Sequence, residues 1–295
     1  MNVPPIKDDQ KPYLLSPDQL KTFMSEQYAM IFLPGVEKDL LNPKVTFLAG
    51  QSGSGKTLLA NNIYQEQKGN TVVINSDSIR ISHPKYSEAL HADPKRASVL
   101  VQPDTAKISR LIMEAAASNG YNVIIDGTLA GDHIAIGTTM ALFKSKGYIT
   151  EIAALGVNER VSRLGIYARF EQGMINTPGQ ARFVDIHAHN KQYGQILENL
   201  KQLASDSSLV DNIRIFSREI VDRRLKQVYE GQDVLNSITA LEKVRNQPFT
   251  PQEQSYLVNI SNVITDRMLN RGASQADIDD FSRQAVFTIA SRNRV

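Results

Sequence analysis

The sequence predicts an α/β fold in which a parallel sheet is covered by helices on both faces, with a helical appendage at the C-terminal end. Two observations carry this. Short, nearly continuous apolar runs at 45–49, 71–74, 122–125, 149–155 and 213–216 alternate with segments of helical periodicity, the pattern of strands buried on both faces. After Asp222 the pattern changes to helical periodicity with no strand signal.

The elements follow in order. Residues 1–15 carry prolines and mixed charge and read as an extended or mobile arm. Ser16-Pro17-Asp18-Gln19 opens a helix to about Phe32, with Ser16 as cap, Pro17 in the first turn and Gln19 at the box position. Ile108, Leu111, Ile112 and Ala115 recur at helical spacing, and 134–146, 159–172 and 185–203 read as further helices between the strands. Beyond Asp222, Thr250-Pro251-Gln252-Glu253 is a capping box, Leu257, Ile260 and Ile264 continue an apolar face, and Ser274 starts another helix. This divides the chain into an N-terminal arm and helix (1–44), a core domain (45–222) and a helical extension (223–295).

Composition narrows the chemistry. With 295 residues and 41% hydrophobic side chains, a substantial core is expected. The net charge of +2 makes no case for nucleic acid or a membrane as partner. The chain has no cysteine, which excludes disulfides, cysteine-based zinc sites and a thiol nucleophile. No run has the length of a membrane span, and the first residues do not form a secretory signal, so the expected compartment is the bacterial cytoplasm. Delivery as a secreted effector leaves no mark in composition.

Between the first strand and its helix stands Gly50-Gln51-Ser52-Gly53-Ser54-Gly55-Lys56-Thr57, which fits G-x-x-x-x-G-K-[ST]. In this setting the glycines let successive N–H groups face phosphate oxygens, and the helix N-terminus adds partial positive charge. Lys56 is expected to reach the β- and γ-phosphates and the Thr57 hydroxyl to ligate Mg²⁺, with ATP or GTP as the nucleotide. The fold is therefore expected to be a P-loop kinase-like parallel sheet. Ligands of such sheets sit at the carboxyl ends of the strands, which puts Asp77 and Asp126 on the same rim as the P-loop.

Asp77 follows the second strand and is either a base toward an acceptor hydroxyl or a helix cap. Arg80, one turn on, is suited to an anionic substrate group. Asp126 ends the third strand before Gly127-Thr128. It can meet Mg²⁺ through water, bind a substrate hydroxyl, or simply form a turn. Arg160, Arg163, Arg169 and Arg182 lie in and after one helix. Arginines of this kind stabilise a transferring phosphoryl group, often from a mobile lid, for which 173–179 is the candidate. Arg160 and Arg163 are expected on a solvated face. His187-Ala188-His189 has no metal-site pattern and reads as helical surface or substrate edge.

Taken together, these residues resemble the zeta toxin family. The resemblance rests on 50–57, Ile74-Asn75-Ser76-Asp77, His83-Pro84, Tyr121 through Thr128, Lys146-Gly147-Tyr148, Arg169-Phe170-Glu171, Arg182 and His189, over about residues 45–216. It implies phosphorylation of the 3′-hydroxyl of the N-acetylglucosamine ring of UDP-N-acetylglucosamine by ATP or GTP with Mg²⁺, a product that inhibits cell-wall synthesis, and an antitoxin protein that blocks the nucleotide site. By that resemblance Lys56 and Thr57 contact nucleotide phosphate and Mg²⁺, and Asp77 is the general base. Asp126, Thr128 and Thr139 contact substrate, and Arg169 and Arg182 serve the transition state and phosphates. Two departures stand out. The best-known members have Glu where this chain has Asp126, and an arginine where it has Leu129-Ala130-Gly131. Relatives with this core also phosphorylate NAD and amino-acid sugar conjugates. An acceptor such as NAD or a nucleoside, and a nucleotide-gated binding protein without transfer, are the alternatives.

Overall fold

The computed structural model describes residues 6–33, 35–93, 96–176, 181 and 183–287. Along the chain these form α1 (Pro17–Ile31), β1 (Lys44–Ala49), α2 (Lys56–Glu66), β2 (Val72–Ile74), α3 (Ser76–Ile81), α4 (Tyr86–Ala92), α5 (Ala97–Leu100) and α6 (Gln102–Asn119). There follow β3 (Val123–Ile125), α7 (His133–Lys144), β4 (Ile149–Gly156), α8 (Glu159–Asn176), α9 (Ile186–Ala204), β5 (Asn212–Arg218) and β6 (Leu225–Gly231). The chain then runs through α10 (Val234–Arg245), α11 (Pro251–Asn270) and α12 (Gln275–Gln284).

Among the described residues the strands form one six-stranded sheet in the order β2-β3-β1-β4-β5-β6. The pairs from β2 to β5 are parallel, because each of these strands is reached through at least one helix, while β6 turns back antiparallel on β5. Side chains alternate between the two faces. Val45, Phe47 and Ala49 of β1 join Phe23, Ile108, Phe143, Leu200 and Leu241 on one side. Leu48 joins Leu59, Ile63, Leu164, Leu257 and Phe281 on the other. The expected fold is the observed one.

The helix starts follow the local chemistry of the sequence. Ser16 and Gln19 form the expected capping box at α1, and Thr250 and Glu253 form the one at α11. Asp185 caps α9 and Ser274 caps α12.

Two expectations are corrected. Within the expected arm, Asp8–Tyr13 is a 3₁₀ helix, tied down by buried Gln10, whose amide donates to Val99 O at 2.8 Å. After Asp222 there is a strand, β6. It is an edge strand with largely exposed side chains, and a bulge between Ile215 and Phe216 leaves Val228 unmatched, so the period of two is broken.

The C-terminal helices belong to the core. Helix α10 packs against β4, β5 and α9, while α11 and α12 lie on α8. Tyr167 of α8 donates its hydroxyl to Asp280 at 2.7 Å, and its ring meets Phe281 at 4.8 Å. Phe281 has no solvent exposure. Phe281→Ala is therefore expected to lower unfolding free energy by about 3–5 kcal/mol, as measured by denaturant titration.

Candidate active site

The loop between β1 and α2 is built as a phosphate cradle and braced from outside. Gly53 has φ of +77°, and a Cβ there would sit 2.0 Å from the Ser162 carbonyl oxygen of α8. Across the same contact, a Cβ on Gly165 would lie 2.5 Å from Gly53 O. Backbone thus meets backbone, and both positions require glycine. The Gln51 side chain is fully buried, its amide donating to Val157 O at 3.0 Å and Ser162 Oγ at 3.1 Å. Ser162 Oγ lies 2.8 Å from His189 Nε2, and His189 Nδ1 lies 2.9 Å from Asn190 Oδ1. Gln192 Oε1 accepts from both Ser52 N and Ser52 Oγ, at 3.1 and 3.0 Å. Gly50 N donates to Thr128 O at 3.3 Å, which joins the loop to the end of β3.

The β2–β3 side of the rim is organised by Asn75. Its side chain caps α3, accepting from the amides of Asp77 and Ser78, and its Nδ2 donates to Asp126 Oδ2 at 2.6 Å. Asn75, not Asp77, is thus the cap, which leaves the Asp77 carboxylate exposed and paired with Arg80. Arg80 also donates to Gln102 Oε1 at 3.0 Å. Beside them is a cavity of about 200 Å³ lined by Ser76, Arg80, Gln102, Thr105, Ser109 and Met113. Arg80 Nε and Ser109 Oγ are buried and without a hydrogen-bond partner.

Charge converges on Lys56, whose Nζ reaches back to Gln51 O at 3.5 Å. Burial pushes its ammonium pKa down. Asp126 and Asp77 oppose that shift, and Arg169 adds to it. Burial likewise raises the Asp126 carboxyl, against the pull of Lys56 and the Asn75 hydrogen bond. Lys56, Asp77, Asp126 and Arg169 are thus electrostatic neighbours.

The remaining candidates divide. Thr128 adjoins the P-loop through its carbonyl, while its hydroxyl accepts from Ala130 N at 3.2 Å. Thr139 is buried within α7, its hydroxyl donating to Ala135 O at 3.0 Å, and no hydrogen bond joins it to the group above. Arg182 lies outside the described residues, as do 177–179 of the expected lid. Gly173 to Asn176 are the last turn of α8. Arg163 is not on a solvated face: it pairs with Glu159 and donates to Asn190 Oδ1 at 3.0 Å. Arg160 is exposed, and its guanidinium covers the Phe287 ring at 4.4 Å. His187 is on the surface, but His189 is completely buried. Residues two apart on a helix point about 200° apart, so one of the pair had to face inward.

The cradle fits a nucleoside triphosphate. Ser54 Oγ is buried without a partner and can donate, Lys56 is poised over the loop, and Thr57 is exposed in the first turn of α2. Magnesium suits a site with few protein oxygens, since it keeps water and takes phosphate oxygens as ligands. Where the Leu129-Ala130-Gly131 departure falls, Leu129 is buried with φ of +57°. The carbonyls of Leu129 and Gly131 both accept from buried Asn199, at 2.8 and 2.7 Å.

A parallel sheet with this strand–loop–helix unit at its carboxyl rim defines the P-loop class of nucleotide-binding proteins. A family model described as zeta toxin matches residues 34–231, and the chain belongs to the zeta toxin family, a family of nucleotide-binding P-loop kinases. The chain is 28% identical to toxin zeta of Enterococcus hirae over 230 residues, 72% of this chain and 80% of that protein. It is 29% identical to toxin PezT of Streptococcus pneumoniae over 183 residues, 62% of this chain and 72% of that one. A solved structure from the PezAT chromosomal toxin-antitoxin system of Streptococcus pneumoniae shares the fold, with a TM-score of 0.72 and 23% identity over 90% of this chain and 98% of that one. Among the described residues no helix is long and apolar enough to cross a membrane.

His189 gives a test of the bracing. Burial holds its imidazole pKa below the ordinary 6.5, so the folded state keeps it neutral. The unfolded chain then binds the extra proton, and the stability His189 contributes is complete above pH 6.5 and lost as pH falls toward the depressed value. The difference in melting temperature between wild type and His189→Gln is expected to shrink as pH is lowered from 7.5 through this window; a pH-independent difference would contradict it.

Proposed function

We propose that the chain is an ATP- or GTP-dependent small-molecule kinase that phosphorylates a sugar hydroxyl of UDP-N-acetylglucosamine or a related nucleotide sugar. The observation that carries this is the P-loop with Lys56 over it, on the rim where Asn75 both caps the Asp77 helix and donates to Asp126 Oδ2 at 2.6 Å. The amides of 53–57 and Lys56 would hold the triphosphate, and Thr57, with Asp126 nearby, would hold Mg²⁺. When bound, Mg²⁺ neutralises phosphate charge. Asp77 takes the proton from the acceptor hydroxyl. The freed oxygen forms a bond to the γ-phosphorus while the bond from that phosphorus to the bridging oxygen breaks, and the nucleoside diphosphate leaves. Arg169, joined by Arg182 from the segment after α8, stabilises the charge on the transferring group. Arg80 orients the Asp77 carboxylate and borders the cavity lined by Ser109 and Met113, which accommodates part of the acceptor. Thr128 borders the same rim, and Thr139, buried in α7 and bonded to Ala135 O, is left without a role at it.

The relatives' names support a toxin role, and an antitoxin protein that covers the nucleotide site is the partner this reading expects. A second acceptor class, a nucleoside, which brings no diphosphate, is favoured by one observation: where the best-known members carry an arginine, which would suit a diphosphate, this chain has Leu129-Ala130-Gly131, with the carbonyls of Leu129 and Gly131 pinned by Asn199.

Labelled ATP, Mg²⁺ and UDP-N-acetylglucosamine, with products read by mass spectrometry, test the proposal. Wild type is expected to yield a phosphorylated sugar nucleotide, and Asp77→Ala to lose about 10²–10⁴-fold in rate while still binding ATP. Full activity in that variant would remove Asp77 as base. Transfer only to another metabolite would change the acceptor, and ATP loss that needs no acceptor would favour a nucleotide-gated binder. Lys56→Ala is expected to weaken ATP binding as well as turnover, as followed by calorimetry.

A further inference from the structure

We propose that Arg218, the last residue of β5, is a nucleotide-binding residue that contacts the phosphates of the triphosphate from the side of the P-loop away from Asp77 and Asp126. The inference rests on the P-loop reading above and adds a residue to it.

Position is the first argument. Strand β5 runs parallel to β1 and β4, so its carboxyl end falls on the rim where the P-loop opens. Asp77 follows β2 and Asp126 follows β3, on one side of β1 in the sheet. Arg218 stands on the other side, beyond β4.

Contact is the second. Arg218 Nη1 lies 2.8 Å, and Cζ 3.7 Å, from the point a Cβ on Gly55 would occupy. Gly55 is the residue before Lys56, and the amides that follow it open the first turn of α2. A guanidinium resting there faces the same anion those amides attract.

The third argument is what Arg218 lacks. Arg214, four residues earlier on the same face of β5, is held by Glu66 at 2.8 Å and Glu151 at 2.7 Å. Arg218 has neither an ion pair nor a side-chain hydrogen bond among the described residues, and its Nε is buried without a partner. Its charged neighbour is another cation, Arg223, while Tyr256 of α11 acts weakly the other way. Burial first, and then Arg223, pull its pKa down to about 10. A partly desolvated cation without an anion is costly in the free protein, and a bound polyphosphate offsets that cost.

Calorimetry with magnesium ATP and with magnesium tripolyphosphate tests this on the full chain, using wild type, Arg218→Ala, Arg218→Lys and Arg218→Gln, with melting temperatures taken without ligand. Removing one charge-assisted hydrogen bond to phosphate is expected to weaken both ligands by about tenfold to a hundredfold in the Ala and Gln variants. Lys is expected to keep part of the affinity, and no variant to melt lower than wild type in the absence of ligand. Unchanged affinity in Arg218→Ala would overturn the proposal and leave the kinase reading intact. Weakened ATP binding with unchanged tripolyphosphate binding would assign the guanidinium to the base and overturn the phosphate contact. A lowered melting temperature with affinity restored in Arg218→Gln would mark a packing role and overturn it too. A wild-type protein that binds neither ligand would take the P-loop reading down with it.

Discussion

The backbone contact between Gly53 and helix α8 is the constraint on which the rest of the site depends. With no side chain on Gly53 or Gly165, the helix lies directly on the loop, and the loop's curvature is set by where α8 stands. The helix is in turn fixed on two sides. Toward α9 it is held by Ser162 on His189 and Arg163 on Asn190. Toward the C-terminal helices, Glu171, 1% exposed, accepts three close contacts of 2.8 to 3.1 Å from Arg271. Breaking a pair this buried strands a charge, which makes its removal far more costly than its formation is favourable. Arg169 and Glu171 sit two residues apart on α8 and so point in opposing directions, one toward Lys56 and one toward the tail.

Charge is sorted across the rim. The carboxylates Asp77 and Asp126 are on the β2–β3 side, Lys56 is central, and Arg218 closes the β5 side. Burial disfavours the charged forms of Lys56, Asp126 and Arg218 alike, so the protein carries electrostatic cost in the residues of this rim. Such a site gains from any ligand that brings anionic charge to Lys56 and Arg218 while leaving the carboxylates a hydroxyl to address.

How much of this the sequence disclosed follows from burial. Strands β1, β3 and β4 are largely covered on both faces and therefore read as nearly continuous apolar runs. Strand β6 has an exposed edge and a bulge, so neither composition nor periodicity marks it. The P-loop was legible because its glycines and Lys56 are contiguous. Its braces were not, because Gln51, Ser162, His189 and Gln192 are brought together only by packing across more than a hundred residues of chain. Asn75, two residues before Asp77, is a strong capping residue in its own right, and it is the one that caps α3. Arg218 carried a faint signal: it follows the apolar run Ile213–Phe216 on the binding rim, as Asp126 follows its own.

The dependence of α8 on α11 and α12 sets an order of events during synthesis. Strand β1, the loop and α2 leave the ribosome early, and every strand up to β6 precedes the helices that cover Tyr167 and Glu171. Until those helices arrive, the apolar face carrying Leu164 and Tyr167 is uncovered and α8 lacks its outer anchor. A nascent chain therefore carries the phosphate loop before it carries a rigid wall for it, and the wall is complete only once α11 and α12 have followed. In a protein of toxin lineage, that delay leaves an interval in which a binding partner can meet the chain before its site is complete.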